Sequence, residues 1–148
     1  MLEKAYLHLS RKLSSEHPRR VTRTWYERYM FTELSTVSTK VYPSFWIMNF
    51  NLDIFLPELG AVVELDGSIH NNKVKALKDN YRDGRLFELG IPVSHIDNSD
   101  TKKMAVQLKS LLANTKKHKS EDFQKELLKS IYIETIVTHF DHEVVQGF

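Results

Sequence analysis

The stretch "NLDIFLPELGAVVELD", residues 51–66, decides the fold of this chain. Two apolar segments flank "PELG" at 57–60, where a proline at the start and a glycine at the end are typical of a tight turn. The stretch therefore predicts a β-hairpin with a four-residue loop, in which Leu56 pairs with Ala61.

Three carboxylates are expected to meet on one face of this hairpin. Counting back from the loop places Asp53 opposite Glu64, and Asp66 shares the face of Glu64 because alternate strand residues point the same way. These three side chains form the carboxylate patch. Like charges so close repel unless a cation lies among them, and oxygen ligands without sulfur favour Mg²⁺ or Mn²⁺. If the register slips by one residue, Asp53 lies on the other face of the hairpin. The structural alternative is that Glu64 and Asp66 are ordinary residues of a half-exposed strand.

A histidine and further carboxylates follow the patch. His70 comes after Asp66 across Gly67, a residue type that allows a sharp turn. Its imidazole could reach back over the patch as base, acid or ligand. Asp79 and Asp83 lie one turn apart on the next predicted helix, so either could add a carboxylate at the rim. The set suits metal-assisted hydrolysis of a phosphodiester, and a loop histidine beside a charged helix face is the structural alternative.

The rest of the chain shows helical and extended patterns in turn. A strand, a helix and another strand follow one another over 61–96, which predicts a right-handed crossover between parallel strands. The predicted fold class is therefore α/β, with a central mixed β-sheet flanked by helices. The predicted helices cover 1–14, 21–35, 71–90, 101–113 and 121–140, and the predicted extended segments cover 40–56, 61–66 and 91–96.

The composition is that of one globular domain over 1–148. The absence of cysteine excludes disulfides and thiolate metal sites, and no apolar run is long enough to span a membrane. The N-terminus is too charged for a secretion signal, so we expect an intracellular, cytoplasmic protein. The net charge is only +2, but a basic stretch with Arg19, Arg20 and Arg23 and a basic run at 115–119 suit either a phosphate backbone or a solvated surface.

Two segments resemble the PD-(D/E)xK nuclease superfamily. They are "NLDIFLPELGAVVELDGSIH" at 51–70 and "KDNYRDGRLFELGIPVSHI" at 78–96. They are most similar to the branch around the very-short-patch-repair endonuclease, which includes phage homing endonucleases named for a Glu-Asp-x-His-Asp site. The resemblance covers roughly 20–100 and implies a restriction-endonuclease-like core, with 101–148 as a helical C-terminal extension that matches nothing in the family.

The resemblance implies that the protein is a metal-dependent DNA endonuclease of homing type, which acts in a bacterium or in the host cell of a phage. It also assigns catalytic roles by position. Asp53 would hold Mg²⁺ or Mn²⁺ with help from Glu64 or Asp66. His70 would act as the catalytic base or acid, and Asp79 would be the last aspartate of the site.

Other expected roles belong to a helix and to the basic residues. The glutamate that the family carries on its first core helix falls on Glu27, with Glu33 as second choice. We expect contacts to nucleic acid from four arginines: Arg19, Arg20, Arg23 and Arg82.

The chain departs from the family pattern at several positions. Leu52 precedes Asp53 where the superfamily name has proline, and Asp66 stands where it has lysine, which this branch tolerates. His95 lies in the last core strand, where relatives often carry arginine. The chain lacks the cysteines of the repair enzyme's zinc site, so that mismatch-repair role is not expected.

The alternative function is a catalytically inactive nuclease-fold module that binds nucleic acid through its basic stretch without cutting it. An intact carboxylate patch favours the enzyme over this module. Two kinds of protein partner stay open: a second copy of the chain that dimerises through 101–140, and a separate DNA-recognition domain.

Overall fold

The computed structural model describes residues 1–17, 25–66, 73–97, 101–114 and 118–146. The helices are α1 (Leu2–Glu16), α2 (Trp25–Leu34), α3 (Lys73–Glu88), α4 (Thr101–Asn114) and α5 (Glu121–Gln146). The strands are β1 (Tyr42–Ile47), β2 (Phe50–Leu56), β3 (Ala61–Asp66) and β4 (Val93–Asp97).

The four strands form one mixed sheet in the order β1-β2-β3-β4. The hairpin predicted around "PELG" is confirmed, with Leu56 paired to Ala61 and β2 antiparallel to β3. The predicted parallel neighbour is also confirmed, because β4 pairs with β3 in parallel after helix α3. The α/β fold class with a mixed sheet flanked by helices is therefore correct.

The extended segment predicted over 40–56 is divided into two strands. The chain reverses at Met48 and Asn49, and β1 then pairs antiparallel with β2. Met48 has a φ of 54°, a left-handed conformation that non-glycine residues rarely adopt. Because neither residue is glycine, the usual sequence signal for a hairpin is missing at this turn.

Helices cover both faces of the sheet. Val62 and Val63 are adjacent on β3 and point to opposite faces, and each is buried in a different apolar cluster. The first cluster contains Val62 and residues from α1, α3 and α5, among them Tyr6, Leu86 and Ile131. The second contains Val63 and residues from α2 and α4, among them Met30, Leu34, Met104 and Leu108. The sheet is thus the middle of three layers.

Side chains from two helices satisfy the open edge of β1. The Trp46 N–H donates to Ser10 Oγ at 3.2 Å, and the Tyr6 hydroxyl donates to the Trp46 carbonyl at 2.7 Å. Just past the strand, the Met48 N–H donates to Thr135 Oγ1 at 2.9 Å. These bonds occupy backbone groups that an edge strand would otherwise offer to another chain.

The C-terminal helix is longer than predicted and reaches Gln146 rather than 140. It begins as expected, because the Phe123 N–H donates to Ser120 Oγ at 3.2 Å and Ser120 therefore caps it. Its residues Leu127, Leu128 and Ile131 are buried in the first cluster. In the described ranges, no helix has the length and apolar character needed to cross a membrane.

Glu58 ties the "PELG" turn to two other parts of the chain. Its carboxylate accepts hydrogen bonds from the hydroxyls of Thr39 and Ser38 and from the Lys40 N–H, at 2.8, 3.0 and 2.8 Å. Its carbonyl accepts a bond from the Lys119 N–H at 2.7 Å. Burial raises the pKa of the Glu58 carboxyl, but these donors outweigh burial and hold the pKa at about 2.

We expect Glu58→Gln to destabilise the protein at pH 7 by up to about 3 kcal/mol, the value of a pKa lowered from 4.5 to about 2. A lowered pKa stabilises the fold above the unfolded value, so the difference from wild type should shrink as the pH falls from about 4.5 towards 2. Urea unfolding at stepped pH measures both effects. The exposed Glu126 supplies the control Glu126→Gln, and a difference that stays constant with pH would contradict the prediction.

Candidate functional site

Two of the predicted carboxylates meet where the pairing of β2 with β3 ends. The recorded pairs run from Leu56–Ala61 to Ile54–Val63. Beyond them, the Asp53 N–H donates to Glu64 Oε1 at 3.0 Å, and the Leu65 N–H donates to Asp53 Oδ2 at 2.8 Å. Side-chain oxygens therefore take the place of backbone acceptors here, and they hold Asp53 beside Glu64.

The backbone of β2 is irregular at Asp53. Leu52 is buried in the first cluster and Ile54 in the second, although residues two apart on a regular strand share a face. On the other side, the pairs Pro43–Ile54 and Phe45–Leu52 place Ser44 opposite Asp53, and Ser44 has a φ of 49°. Such local irregularities in a sheet are frequent next to functional sites, because they redirect a side chain.

Glu64 is the most buried carboxylate of the patch, with 6% of its surface exposed. Burial and the neighbouring Asp53 carboxylate raise its pKa well above the ordinary value. The guanidinium of Arg82 lies 3.9 Å from Glu64 Oε2 and opposes this rise. The negatively charged form of Glu64 is therefore unfavourable in these surroundings.

Arg82, from which the sequence analysis expected a contact to nucleic acid, lies among carboxylates. Besides Glu64 of β3, its guanidinium contacts two carboxylates of its own helix α3, Asp79 at 3.5 Å and Asp83 at 3.1 Å. Burial lowers the pKa of Arg82, but the carboxylates, Glu64 first, outweigh burial and raise it. Asp79 is in turn paired with Lys75 at 3.0 Å. Helix α3 thus presents both signs of charge to the patch.

His95 joins the remaining carboxylates. Its Nδ1 lies 2.9 Å from Asp66 Oδ2, and its Nε2 lies 2.5 Å from Asp83 Oδ2. Burial opposes a charge on the imidazole, but the hydrogen bonds to Asp83 and Asp66 raise the pKa of His95 above its ordinary value. The parallel pairing of β3 with β4 places His95 opposite Glu64, two residues before Asp66 on the same strand.

The structure describes only part of the remaining predicted site residues. His70, Arg19, Arg20 and Arg23 lie outside the described residues. Glu27 is half-buried on α2, and α2 packs on the face of the sheet opposite α3.

The residue types of the predicted metal site suit a hard divalent cation. Asp53, Glu64 and Asp66 offer only oxygen, as Mg²⁺ and Mn²⁺ prefer, and a cation beside Glu64 would favour its charged form. Within the part of the chain that the structure describes, no group of three or more histidine, aspartate or glutamate side chains is placed to hold a metal ion. Asp53 Oδ2 accepts a hydrogen bond from the Leu65 N–H, and Asp66 Oδ2 contacts His95 Nδ1. Both oxygens therefore have partners within the protein.

The architecture defines an α/β protein with a four-stranded mixed sheet and a charged cluster between β2, β3, β4 and α3. No protein-family model matches the chain, and comparisons with curated proteins and with solved structures found no match.

Proposed function

We propose that this protein is a metal-dependent endonuclease that hydrolyses phosphodiester bonds in DNA, in the cytoplasm of a bacterium or of a phage host. One observation carries the proposal: Asp53 and the buried Glu64 lie side by side where the pairing of β2 with β3 ends. The resemblance of 51–70 and 78–96 to the PD-(D/E)xK superfamily supports the same reading.

Four residues of the cluster and His70, which lies outside the described residues, have roles in this proposal. Asp53, Glu64 and Asp66 would hold Mg²⁺ or Mn²⁺, and the cation would supply polarisation of the phosphate and activation of water. Arg82, half-buried beside Glu64, would contact a non-bridging phosphate oxygen through its guanidinium. His70 would accept or donate the proton of the reaction.

The first test uses purified protein and supercoiled plasmid with Mg²⁺, with Mn²⁺ and with EDTA. We expect nicking with either metal and none with EDTA, because the carboxylates alone do not polarise a phosphate. His70→Ala should lose nicking while the control His8→Ala, at an exposed position of α1, should retain it. Nicking that persists in EDTA would refute the proposed dependence on a metal.

A catalytically inactive nucleic-acid-binding module is the second candidate, and one observation favours it. Arg82 and His95 each bridge carboxylates from β3 and α3, so part of the patch is neutralised by the protein itself. For this candidate, the wild type would bind DNA and leave plasmid uncut with every metal. Binding to phosphate should weaken steeply with added salt in either case.

A further inference from the structure

An exposed pair of aromatic rings lies at the start of α2. Trp25 has 53% of its surface exposed, and its ring stacks on Tyr29 with 5.3 Å between centroids and 9° between planes. Tyr26 meets the same indole edge-on, at 85°. The indole is thus held in place by two rings of its own helix while more than half of it faces solvent.

Basic side chains lie on α2 and on the helix that packs beside it. Arg28 is exposed on the same turn of α2 as Tyr29. Helix α4, which packs beside α2 in the second cluster, carries exposed basic residues and no acidic one: Lys102, Lys103 and Lys109. Taken together, α2 and α4 carry four basic and two acidic side chains, which is complementary to a phosphate backbone.

This surface also lies on the helix that covers the site end of the hairpin. Met30 and Leu34 of α2 are buried in the same cluster as Ile54 and Val63. Ile54 and Val63 are the pair directly next to Asp53 and Glu64. A strand that lies along α2 would therefore lie at the same end of the hairpin as the carboxylates, on the other face of the sheet from Arg82 and α3.

We propose that Trp25 and Tyr29 form a stacking platform for an unpaired base, and that the substrate class of this protein is DNA with a single-stranded segment. An aromatic ring can stack on a base only where that base has left its neighbours, and basic side chains nearby hold the backbone. That the bound strand is a substrate rests on the proposed function. The binding of the strand itself needs no metal.

The test measures binding in EDTA, so that cleavage plays no part. The probes are oligo(dT) of twenty nucleotides and a duplex of equal length, and the signals are anisotropy of the labelled DNA and intrinsic tryptophan fluorescence. The chain has two tryptophans, and Trp46 is only 7% exposed with its Nε1 bonded to Ser14, so quenching reports on Trp25. We expect quenching by oligo(dT) and tighter binding of oligo(dT) than of duplex.

Variants then separate stacking from charge. Trp25→Ala should weaken binding of oligo(dT) by about 5- to 150-fold, the usual effect of one base–aromatic stack, and leave duplex binding unchanged. Trp25→Phe should restore most of the affinity, because a smaller aromatic face remains. Because Trp25 is exposed, neither change should alter the circular dichroism or the melting temperature.

Several outcomes would overturn the platform. The first two are equal affinity of wild type and Trp25→Ala for oligo(dT), and no quenching of tryptophan fluorescence at saturation. The other two are tighter binding of oligo(U) than of oligo(dT), and a dimer in sedimentation that is lost in Trp25→Ala. Failure of the endonuclease proposal gives a different result. In that case Trp25-dependent binding in EDTA would remain, but no DNA would be nicked in Mg²⁺. If only the platform proposal fails, the wild type should still nick DNA in Mg²⁺, and Trp25→Ala should bind oligo(dT) as tightly as the wild type.

Discussion

Asp53→Asn is expected to reduce metal-dependent nicking by about a thousandfold, which corresponds to about 4 kcal/mol of lost transition-state stabilisation. The charge of Asp53 is what would hold the cation beside Glu64. Asparagine keeps an oxygen of the same shape, so the Leu65 N–H retains its acceptor and the irregular end of the hairpin is preserved. The loss should therefore be one of chemistry and not of folding.

The measurement is the initial nicking rate of plasmid in Mg²⁺ for wild type and Asp53→Asn. Asp122→Asn, an exposed position in the first turn of α5, is the matched control and should cut like wild type. Circular dichroism and the melting temperature establish that the variant is folded. A folded Asp53→Asn variant that cuts at the wild-type rate would refute the assignment of Asp53 as a metal ligand.

Glu64→Gln should remove nicking to a similar extent and at the same time stabilise the protein. At present Glu64 is a buried carboxylate beside Asp53, and burial with that neighbour raises its pKa because its charged form is unfavourable there. Glutamine is neutral, and its amide oxygen can still accept the bond from the Asp53 N–H. We expect a gain of about 1 kcal/mol, or a melting temperature higher by about 2–4 °C.

Thermal unfolding in EDTA and in Mn²⁺ tests both halves of this prediction. Wild type should melt at a higher temperature with Mn²⁺, because a ligand that binds only the folded state stabilises it, and Glu64→Gln should not respond. The control Glu126→Gln, on the exposed side of α5, should respond to Mn²⁺ like wild type. A variant that melts below wild type in EDTA would mean that the pair with Arg82 outweighs the repulsion from Asp53.

The centre of the fold could be predicted because its signals are local. The turn at 57–60 sets the register of the hairpin, and the alternation of residues then brings Asp53 next to Glu64. The hairpin at Met48 was missed, since a left-handed conformation without glycine leaves no mark in the sequence. The C-terminal helix continues to Gln146, six residues beyond the predicted end.

The sequence by itself determined the α/β class, the register of the central hairpin and the meeting of Asp53 with Glu64, because strand alternation and turn chemistry act over a few residues. The tertiary structure alone decided how the charges of the site are balanced. Arg82 reaches Glu64 and His95 bridges Asp66 and Asp83 only because α3 packs on the sheet beside β3 and β4. Such contacts join side chains far apart in the chain, and their strength depends on burial, which packing of the whole chain sets.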